Sequence, residues 1–287
     1  MMFTLKIQRA NGAEITLTGR ETEFQVIDIE GLNPPKAQVN ITSLAGFDGG
    51  KFNSAKLETR PIVITIKING DAEANRLFLY DVFRPKELIR MFYKNDRRDI
   101  YADGIVDSVE CTAFTNAELA QVSITCPDPY LKSVEEIISD VTDTLSLFHF
   151  PFFINTNEPI PFSTYSNNET VNVYNDSDAG TGVNIEIDFT GAVAKLELKN
   201  TTTGEGLTLV DSFIADDRVF INTNQGHKSI RRLRNGVSTN IFSKLQKGSI
   251  FFGLVPGDNE IDFRADNGSS NEDVYILFRF HKKYMGV

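Results

Sequence analysis

The chain has 287 residues, which is long for one small β domain and comfortable for two, since domains commonly hold about 100–200 residues. Hydrophobic residues make up 41% and charged residues 24%, so a globally disordered chain is excluded. The formal net charge is −10, whereas nucleic acid and anionic membrane surfaces favour clustered lysine and arginine. We therefore expect no membrane partner and no sequence-specific nucleic-acid partner.

The N-terminal residues 1–7 alternate in polarity and lack the continuous apolar run of a signal peptide. No stretch approaches the ~20 apolar residues that span a bilayer. We expect the protein to be made in the cytosol, where the two cysteines, Cys111 and Cys126, would be reduced. A hairpin turn near Glu118-Leu119 would set these thiols opposite each other, whereas a turn at Asn116-Ala117 would not.

The first predicted element is a hairpin, because apolar and polar residues alternate on both sides of Asn11-Gly12. A two-residue turn would pair Ile7 with Thr16 and set apolar against polar. A three-residue loop from Asn11 to Ala13 pairs Ile7 with Leu17 and keeps one apolar face. We favour the second register, because a slip by one residue would turn the apolar face to water.

A stiff, strand-breaking arm follows a third extended run at residues 24–29. In Gly31-Leu32-Asn33-Pro34-Pro35 the two prolines fix φ and remove two backbone donors. A polar stretch then leads to Phe47-Asp48-Gly49-Gly50, whose glycines indicate a tight or mobile loop. After Arg60-Pro61, residues 62–68 alternate strictly between isoleucine and other residues, which predicts a strong strand.

The sequence predicts two helices. Asp71 can cap a helix through Phe83, with Leu77 and Tyr80 on its apolar side, Phe83 as a further candidate for that side, and Pro85 beyond its end. Between the two helices, residues 88–93 and 100–106 predict another hairpin.

The second predicted helix begins at Ser133, which forms an S-x-x-E capping box with Glu136. Apolar residues follow at helical spacing: Val134, Ile137, Ile138, Val141 and Leu145. We place the domain boundary at this helix, so that residues 1–132 form the first domain and residues 133–287 the second, which begins with a linking helix.

The second domain shows the spacing of an all-β sandwich, with turns rich in Asn, Thr and Gly every ~8–12 residues. The predicted strands are residues 170–174, 183–189, 193–199, 206–210, 218–222, 229–233, 249–252, 259–263 and 274–280. The fold class that follows from the sequence is therefore mostly β.

A search for catalytic or ligand-binding patterns finds little support for an enzyme. Gly226-His227-Lys228-Ser229 resembles the end of a phosphate-binding loop but has Ile221 where the first glycine belongs. The histidines, His149, His227 and His281, are far apart, so a zinc site has no support. Asp216-Asp217, Glu135-Glu136 and Asp262 are nominal candidates for a glycosidase pair, but a sequence this acidic contains accidental pairs.

Asn175-Asp176-Ser177-Asp178 offers oxygen ligands for calcium, but it lacks the glycine and terminal glutamate of an EF-hand loop, and Asx-turn chemistry explains it better. We predict no catalytic residues, no cofactor-binding residues, no metal ligands and no cofactor.

Several local patterns, in their order and spacing, resemble one family. They are Gly31-Leu32-Asn33-Pro34-Pro35 after a strand, Asp48-Gly49 before Arg60-Pro61-Ile62, Cys126-Pro127-Asp128-Pro129-Tyr130, Arg231-x-Leu233-x-Asn235-Gly236-Val237, Pro256-Gly257-Asp258-Asn259-Glu260-Ile261, and Lys283-Tyr284-Met285-Gly286-Val287. Together they are similar to the distal tail protein family of long-tailed (siphovirus-type) bacteriophages and prophages. The likeness spans nearly the whole chain.

This resemblance implies an N-terminal split β-barrel with one helix and a C-terminal galectin-like β-sandwich. It also implies a virion structural protein at the tail tip or baseplate, made in the bacterial host cytoplasm. There it would form a homo-oligomeric ring hub, a hexamer or back-to-back hexamers. The implied partners are the tail tube protein, the tail-associated fibre or lysin protein and a receptor-binding protein.

An alternative function is a carbohydrate-binding, lectin-like adhesion module. A lectin site stacks a sugar on an aromatic ring, and without tryptophan the ring would have to be Tyr165, Tyr174 or Tyr275. We favour the structural hub over the lectin and over a tail hydrolase, which would need a catalytic cluster. We also expect the Pro34-Pro35 arm and the Gly49-Gly50 loop to lie at subunit contacts.

Overall fold

The computed structural model describes residues 3–43, 45–46, 48–112, 118–140, 143–146, 163–166, 170–266 and 274–287. The chain divides into two compact units. The first comprises residues 1–135 together with residues 283–287, and the second comprises residues 136–282. No helix in the described part of the chain is long and apolar enough to cross a membrane.

The first unit is built around a β-barrel with one helix. Its elements are β1 (Thr4–Arg9), β2 (Glu14–Thr18), β3 (Phe24–Glu30), β4 (Ala37–Ser43), β5 (Gly50–Leu57), β6 (Arg60–Ile68), α1 (Ala72–Val82), β7 (Leu88–Lys94), β8 (Asp99–Cys111), β9 (Glu118–Cys126) and β10 (Leu131–Asp140). The barrel order is β8-β7-β1-β2-β3-β6-β9, and pairing of β9 with β8 closes it. Only one parallel pair, Thr18 with Gln25, joins β2 to β3, so the barrel is weakly held there.

The first hairpin keeps a single apolar face, but its register differs from the predicted one. Ile7 lies opposite Ile15, and not opposite Leu17. The loop closes at Arg9 and Ala13, one residue earlier on each side than predicted. The Asn11 side chain accepts from the Ala13 amide (3.0 Å), and Gly12 adopts a positive φ of 85°. A shift of two residues preserves the alternation, which is why the buried set stays apolar.

Helix α1 has the predicted bounds, with Asp71 as its N-cap and Phe83 as its C-cap. The predicted apolar side is right only for Phe83, which is buried; Leu77 and Tyr80 are exposed, and Leu79 is buried in their place. Apolar residues occur on both sides of this helix, so periodicity could not identify the side that packs on β6.

The helix predicted from Ser133 is wrong, because residues 131–140 form strand β10. Ser133 pairs with Ile100 on β8, and its hydroxyl donates to the Glu135 carbonyl (2.6 Å) instead of capping a helix. Sheet pairing and the β-branched residues Val134 and Ile137 outweigh the capping box. Residues 141–142 of the predicted helix lie outside the described part of the chain.

The second unit is a sandwich of two antiparallel sheets. Its elements are β11 (Asp143–Ser146), β12 (Ser163–Ser166), β13 (Thr170–Asn175), β14 (Asn184–Phe189), β15 (Val193–Asn200), β16 (Glu205–Phe213), β17 (Arg218–Asn222), β18 (Ser229–Arg234), β19 (Val237–Asn240), a 3-10 helix (Phe242–Lys244), β20 (Gly257–Asp266) and β21 (Val274–Tyr284). One sheet has the order β19-β18-β17-β14-β21 and the other β13-β20-β15-β16. β11 and β12 form a separate pair.

Both large sheets contribute to one apolar core in the second unit. Ile185 and Ile221 come from one sheet, and Leu198 and Phe263 from the other. The predicted strand at residues 249–252 is wrong: this stretch has irregular backbone, and only Leu254 nearby forms an isolated bridge, with Thr181. The prediction of a mostly β fold, with a barrel carrying one helix and then a sandwich, is confirmed.

The two cysteines do not lie opposite each other. Cys111 pairs with Ala120 on β9, whereas Cys126 pairs with Arg60 on β6. Both thiols are free. Burial raises the pKa of Cys126 to about 12, even though the Arg60 charge nearby lowers it, so this thiol stays protonated at neutral pH.

A buried ion pair fixes the turn before β17. Asp217 is 1% exposed, and Arg234 donates to both of its carboxylate oxygens. Burial raises the pKa of Asp217, but the bonds from Arg234 and the Ile214 amide and the charges of Arg234 and Arg232 outweigh it, so the pKa is lowered overall.

The tightest backbone approach in the barrel gives a first prediction. Gly31 has a φ of 89°, and a Cβ there would lie 2.1 Å from the Pro61 carbonyl oxygen. We expect Gly31→Ala to lower the free energy of unfolding by about 2–5 kcal/mol, from left-handed strain plus overpacking. Gly12→Ala is the matched control, because Gly12 also has a positive φ but meets nothing within 4 Å. Equal losses in chemical denaturation would contradict the role of the close approach.

The Asp217–Arg234 pair predicts a pH dependence. The pKa of Asp217 is lower in the folded state than in the unfolded state, where it is ~3.9, so the ionised carboxylate stabilises the fold above that pH. This stabilisation is lost as the pH falls through the pKa of the folded state. We expect Asp217→Asn to be destabilised by about 1–3 kcal/mol at neutral pH, with a gap to the parent that narrows at acidic pH. Melting temperatures of the parent and of Asp217→Asn from neutral to acidic pH test this prediction. Asp216→Asn, at the exposed neighbouring residue, is the control. A gap that widens on acidification would contradict the assignment.

Candidate assembly interface

Strands β4 and β5 form a two-stranded ribbon with one apolar face. They pair only with each other in the described chain. Ile41 lies opposite Phe52 and Val39 lies opposite Ala55, with an irregularity at Asn53 that preserves this facing. The opposite face is polar. The ribbon is therefore amphipathic, although the first unit's apolar core contains none of its residues.

The apolar face of this ribbon is open to solvent. Val39 is 50% exposed, Ile41 is 58% exposed and Phe52 is 61% exposed. A two-stranded hairpin is at best marginally stable alone in water. Exposed apolar side chains arranged on one face of such a hairpin are typical of a surface that becomes buried on assembly.

Helix α1 presents a second apolar surface. Leu77 is 59% exposed, and Phe78 and Tyr80 are also exposed. The Phe78 ring stacks on Phe24 of β3 with centroids 5.6 Å apart, and Ile27, at a bulge in β3, is 55% exposed. Because Leu79, Val82 and Phe83 already bind the helix to the barrel, this other side is available to a partner.

Arg60 clamps the base of the ribbon. It begins β6, just after the ribbon, and is 1% exposed. Its Nη1 donates to the carbonyl oxygens of Gly31 and Asn33, the latter at 2.8 Å, just before the ribbon. Its Nε donates to Pro129 (2.7 Å) and its Nη2 to Met285 (2.7 Å). One guanidinium thus joins three backbone segments to the start of β6.

The Arg60 site has an electrostatic cost. Burial lowers the pKa of the guanidinium, while the nearby groups Cys126 and Asp128 act in the opposite direction. These four hydrogen bonds all go to carbonyl oxygens, so the charge is solvated by backbone dipoles. Such a site is stable only while all its carbonyls stay in place, which makes the ribbon base rigid.

Residues 283–287 return to the first unit and complete the clamp. The Val287 amide donates to the Leu32 carbonyl (3.2 Å), beside the carbonyls that Arg60 holds. The Arg98 guanidinium lies 4.0 Å from the centre of the Tyr284 ring. The last residues of the sequence therefore fix the segment that leads into the ribbon.

The nominal acidic candidates occupy ordinary structural positions. Asp217 is bound by Arg234, and Asp262 on β20 pairs with Arg264 (3.3 Å). Glu136 on β10 lies 3.7 Å from Arg279. In the described residues, no group of three or more His, Cys, Asp or Glu side chains could hold a metal ion.

The calcium-like loop makes internal contacts. Asn175 is buried and donates to the Leu254 carbonyl (3.0 Å), and Ser177 donates to Asn175. Asp176 pairs with Lys282 at 2.8 Å. Asn175, Asp176 and Ser177 therefore contact protein groups through their side chains.

The candidate sugar platforms are spread over the second unit. Tyr174 on β13 is 62% exposed and Tyr275 on β21 is half-buried, on different sheets. The side chain of Tyr165, like all of His149, lies outside the described residues.

Sequence reasoning missed the ribbon because its strands were interpreted as a polar loop. The signal was present: Val39 and Ile41 alternate with polar residues, and Phe52 follows the double glycine. Arg60 could not have been found, because the four carbonyls that it binds come from three segments that are far apart in the sequence.

This chain is similar to known phage tail proteins. Residues 176–284 match the family model described as siphovirus-type tail component, C-terminal domain. The resemblance to distal tail proteins is confirmed. Among curated proteins, no sequence matches the chain.

Solved phage structures share the fold over the whole chain. The Dit protein (gp 19.1) of SPP1, described as a paradigm of hub adsorption apparatus in Gram-positive infecting phages, has 15% identity over 99% of each chain and a TM-score of 0.71. The phage P2 baseplate in its activated conformation with Ca contains a chain with 11% identity over 100% of each chain and a TM-score of 0.55. The corresponding baseplate structure with Sr gives 12% identity over 99% of each chain and a TM-score of 0.53.

The Arg60 clamp predicts a coupled loss of stability and local order. We expect Arg60→Met to lower the free energy of unfolding by about 3–5 kcal/mol, because it leaves several buried carbonyls without donors. We also expect faster hydrogen exchange at the Val287 amide. Arg97→Met, at an exposed arginine in the β7–β8 turn, is the control. An unchanged Val287 exchange rate in Arg60→Met would show that the clamp does not hold this segment.

Proposed function

We propose that the chain is a structural hub of a phage or prophage tail tip, in which copies of the first unit close into a ring. The observation that carries this proposal is the match of residues 176–284 to a siphovirus-type tail component, together with a fold shared by hub and baseplate chains over the whole length. The exposed apolar ribbon supports assembly, and no catalytic role is needed to account for it.

A ring subunit needs two different complementary patches, because its contacts are heterologous. The first unit carries two candidates: the apolar face of the β4–β5 ribbon and the exposed side of α1. We propose that the ribbon of one copy packs on the α1 surface of the next. Complete burial of Val39, Ile41 and Phe52 would contribute about 1.5–3 kcal/mol per side chain to the free energy of association.

This arrangement accounts for the expectation that the Pro34-Pro35 arm and the Gly49-Gly50 loop lie at subunit contacts, since the ribbon runs between them. A rigid base favours such a contact, because less conformational entropy is lost when a fixed ribbon docks.

We further propose that the ring is a hexamer that joins the tail tube protein to tail-tip proteins, including a fibre or lysin protein and a receptor-binding protein. The SPP1 and P2 proteins, named for their hub and baseplate, support this assignment by their shared fold. We propose that the second unit is a galectin-like domain that the ring-forming unit carries.

Light scattering of the purified chain tests the ring directly. The expected species contains six copies of the 32.1 kDa chain, and negative-stain images should show rings. A chain that stays monomeric alone and forms no ring with the tail tube protein would contradict the proposal.

A charge on the ribbon should block assembly without unfolding the unit. We expect Phe52→Asp to shift the oligomer towards monomer by at least tenfold in the dissociation constant, because a buried carboxylate lacks a partner. Its melting temperature as a monomer should change little, since Phe52 is 61% exposed.

The control for this variant is Ser54→Asp, which adds the same charge to the polar face of the same strand. It should assemble as the parent does. If both variants assemble normally, the ribbon is not the subunit contact; if both fail, general charge repulsion is responsible.

A further inference from the structure

A cavity with a mainly polar wall lies where the β15–β16 hairpin meets residues 246–250, and its volume is about 300 Å³. Residues 246–250 run beside strand β16. The Gln246 amide donates to the Thr208 carbonyl (2.8 Å), and the Ile250 amide donates to the Gly206 carbonyl (2.6 Å). These backbone hydrogen bonds fix the two sides of the cavity relative to each other.

A glycine leaves the space between the two sides open. Gly206 lies opposite Lys199 of β15, so no side chain from β16 stands beside Lys199 at this position. A Cβ at Gly206 would lie 2.7 Å from the Leu198 carbonyl oxygen, so a larger residue would displace the hairpin backbone. The cavity is therefore built into the pairing of β15 with β16.

Two lysines without an ion-pair partner line this cavity. Neither Lys199 nor Lys247 forms an ion pair with another described residue. Asp262 lies opposite Lys199 on β20, but its carboxylate pairs with Arg264 (3.3 Å). The ammonium groups of both lysines are therefore available to a ligand.

The carboxylate in the wall is neutralised within the protein. Glu197 lies 3.5 Å from Lys195, which precedes it by two residues on β15. With this pair balanced, two positive charges remain at the cavity, although the formal net charge of the chain is −10. A local excess of positive charge favours an anion at this place.

Neutral donors complete the set. In the turn that the Ser249 amide closes on the Gln246 carbonyl (3.1 Å), Gly248 has a φ of 95°. The backbone amides of Lys247 and Gly248 and the side-chain amide of Gln246 donate to no group in the described chain. The Ser249 hydroxyl oxygen accepts from the Thr208 amide (3.0 Å), which leaves its proton to donate. Charged and neutral donors thus border one cavity, an arrangement that suits an oxyanion.

We propose that this cavity binds a phosphate dianion, free or as a phosphomonoester, between the ammonium groups of Lys199 and Lys247. The Ser249 hydroxyl and the Gln246 side-chain amide donate to its remaining oxygens. Two unpaired cations match the charge of the dianion, and about 300 Å³ leaves room beside the phosphate for a small ester group. The proposal does not depend on ring formation, because every residue that it uses lies in the second unit.

The test is titration of the full-length chain with inorganic phosphate, methyl phosphate and dimethyl phosphate at neutral pH and constant ionic strength, followed by backbone amide shifts in NMR. We expect inorganic phosphate or methyl phosphate to bind saturably in the millimolar range, with shifts that map to residues 204–208 and 246–250. The tighter of these two probes distinguishes the free ion from the ester. Dimethyl phosphate carries a single charge, so it should bind at least about fivefold more weakly.

Charge-removing variants test the two lysines. Lys199→Gln and Lys247→Gln should each weaken phosphate binding by about fivefold or more, because each removes a charged donor. Glu197→Gln should tighten binding, because it removes the carboxylate from the wall. Lys36→Gln is the matched control, since it removes the same charge from an exposed site in the first unit, and it should leave the dissociation constant unchanged.

Melting temperatures of each variant separate lost binding from lost folding, and the shift map of the parent chain tests the site without any substitution. Four results would each overturn the proposal: no saturable shift with inorganic phosphate or methyl phosphate, shifts that map away from the cavity, dimethyl phosphate binding as tightly as methyl phosphate, or equal losses in Lys36→Gln and Lys199→Gln.

Discussion

The first unit depends on one buried guanidinium. A side chain of this charge belongs in water, and Arg60 is held in the interior only because four carbonyls solvate it. Those carbonyls come from either side of Leu32, from the turn after β9 and from residues near position 285. The arginine thus converts several chain segments, none of which is regular secondary structure at that point, into one fixed base. The ribbon that leaves this base is therefore positioned even though its own strands make few contacts with the barrel core.

The ribbon itself shows a fold that is incomplete in isolation. Apolar and polar residues alternate along β4 as they do along β6, but the apolar face of the ribbon does not pack on the core. In β6, Ile62 and Ile64 are fully buried, whereas Ile41 and Phe52 stay open. The same local pattern thus has two outcomes, and tertiary packing decides between them. The open apolar face is the feature of the fold on which the proposed assembly rests.

Much of the architecture could be predicted from the sequence, where period and turn chemistry agree. The β7–β8 hairpin and α1 followed from alternation and from Asp71 as a cap. The failures came where local signals conflicted with pairing: Ser133 and Glu136 form a capping box, yet Ser133 lies opposite Ile100 in a sheet. Capping contributes only ~1 kcal/mol, which sheet pairing and side-chain burial exceed. The Arg60 site depends on contacts between segments that are distant in the chain, which no single stretch of sequence contains.

In both units, strand alternation leaves one or both faces of some strands outside the apolar core. On β14 and β17 the core takes the isoleucines, so the free face carries the polar residues Asn184 and Asn222. The apolar core covers neither face of the β4–β5 ribbon, so both faces remain exposed. The apolar face is the one that we propose contacts a second copy. A period of two residues therefore leaves a polar face exposed in one unit and an apolar face exposed in the other, and the difference lies in whether a second sheet covers the apolar side.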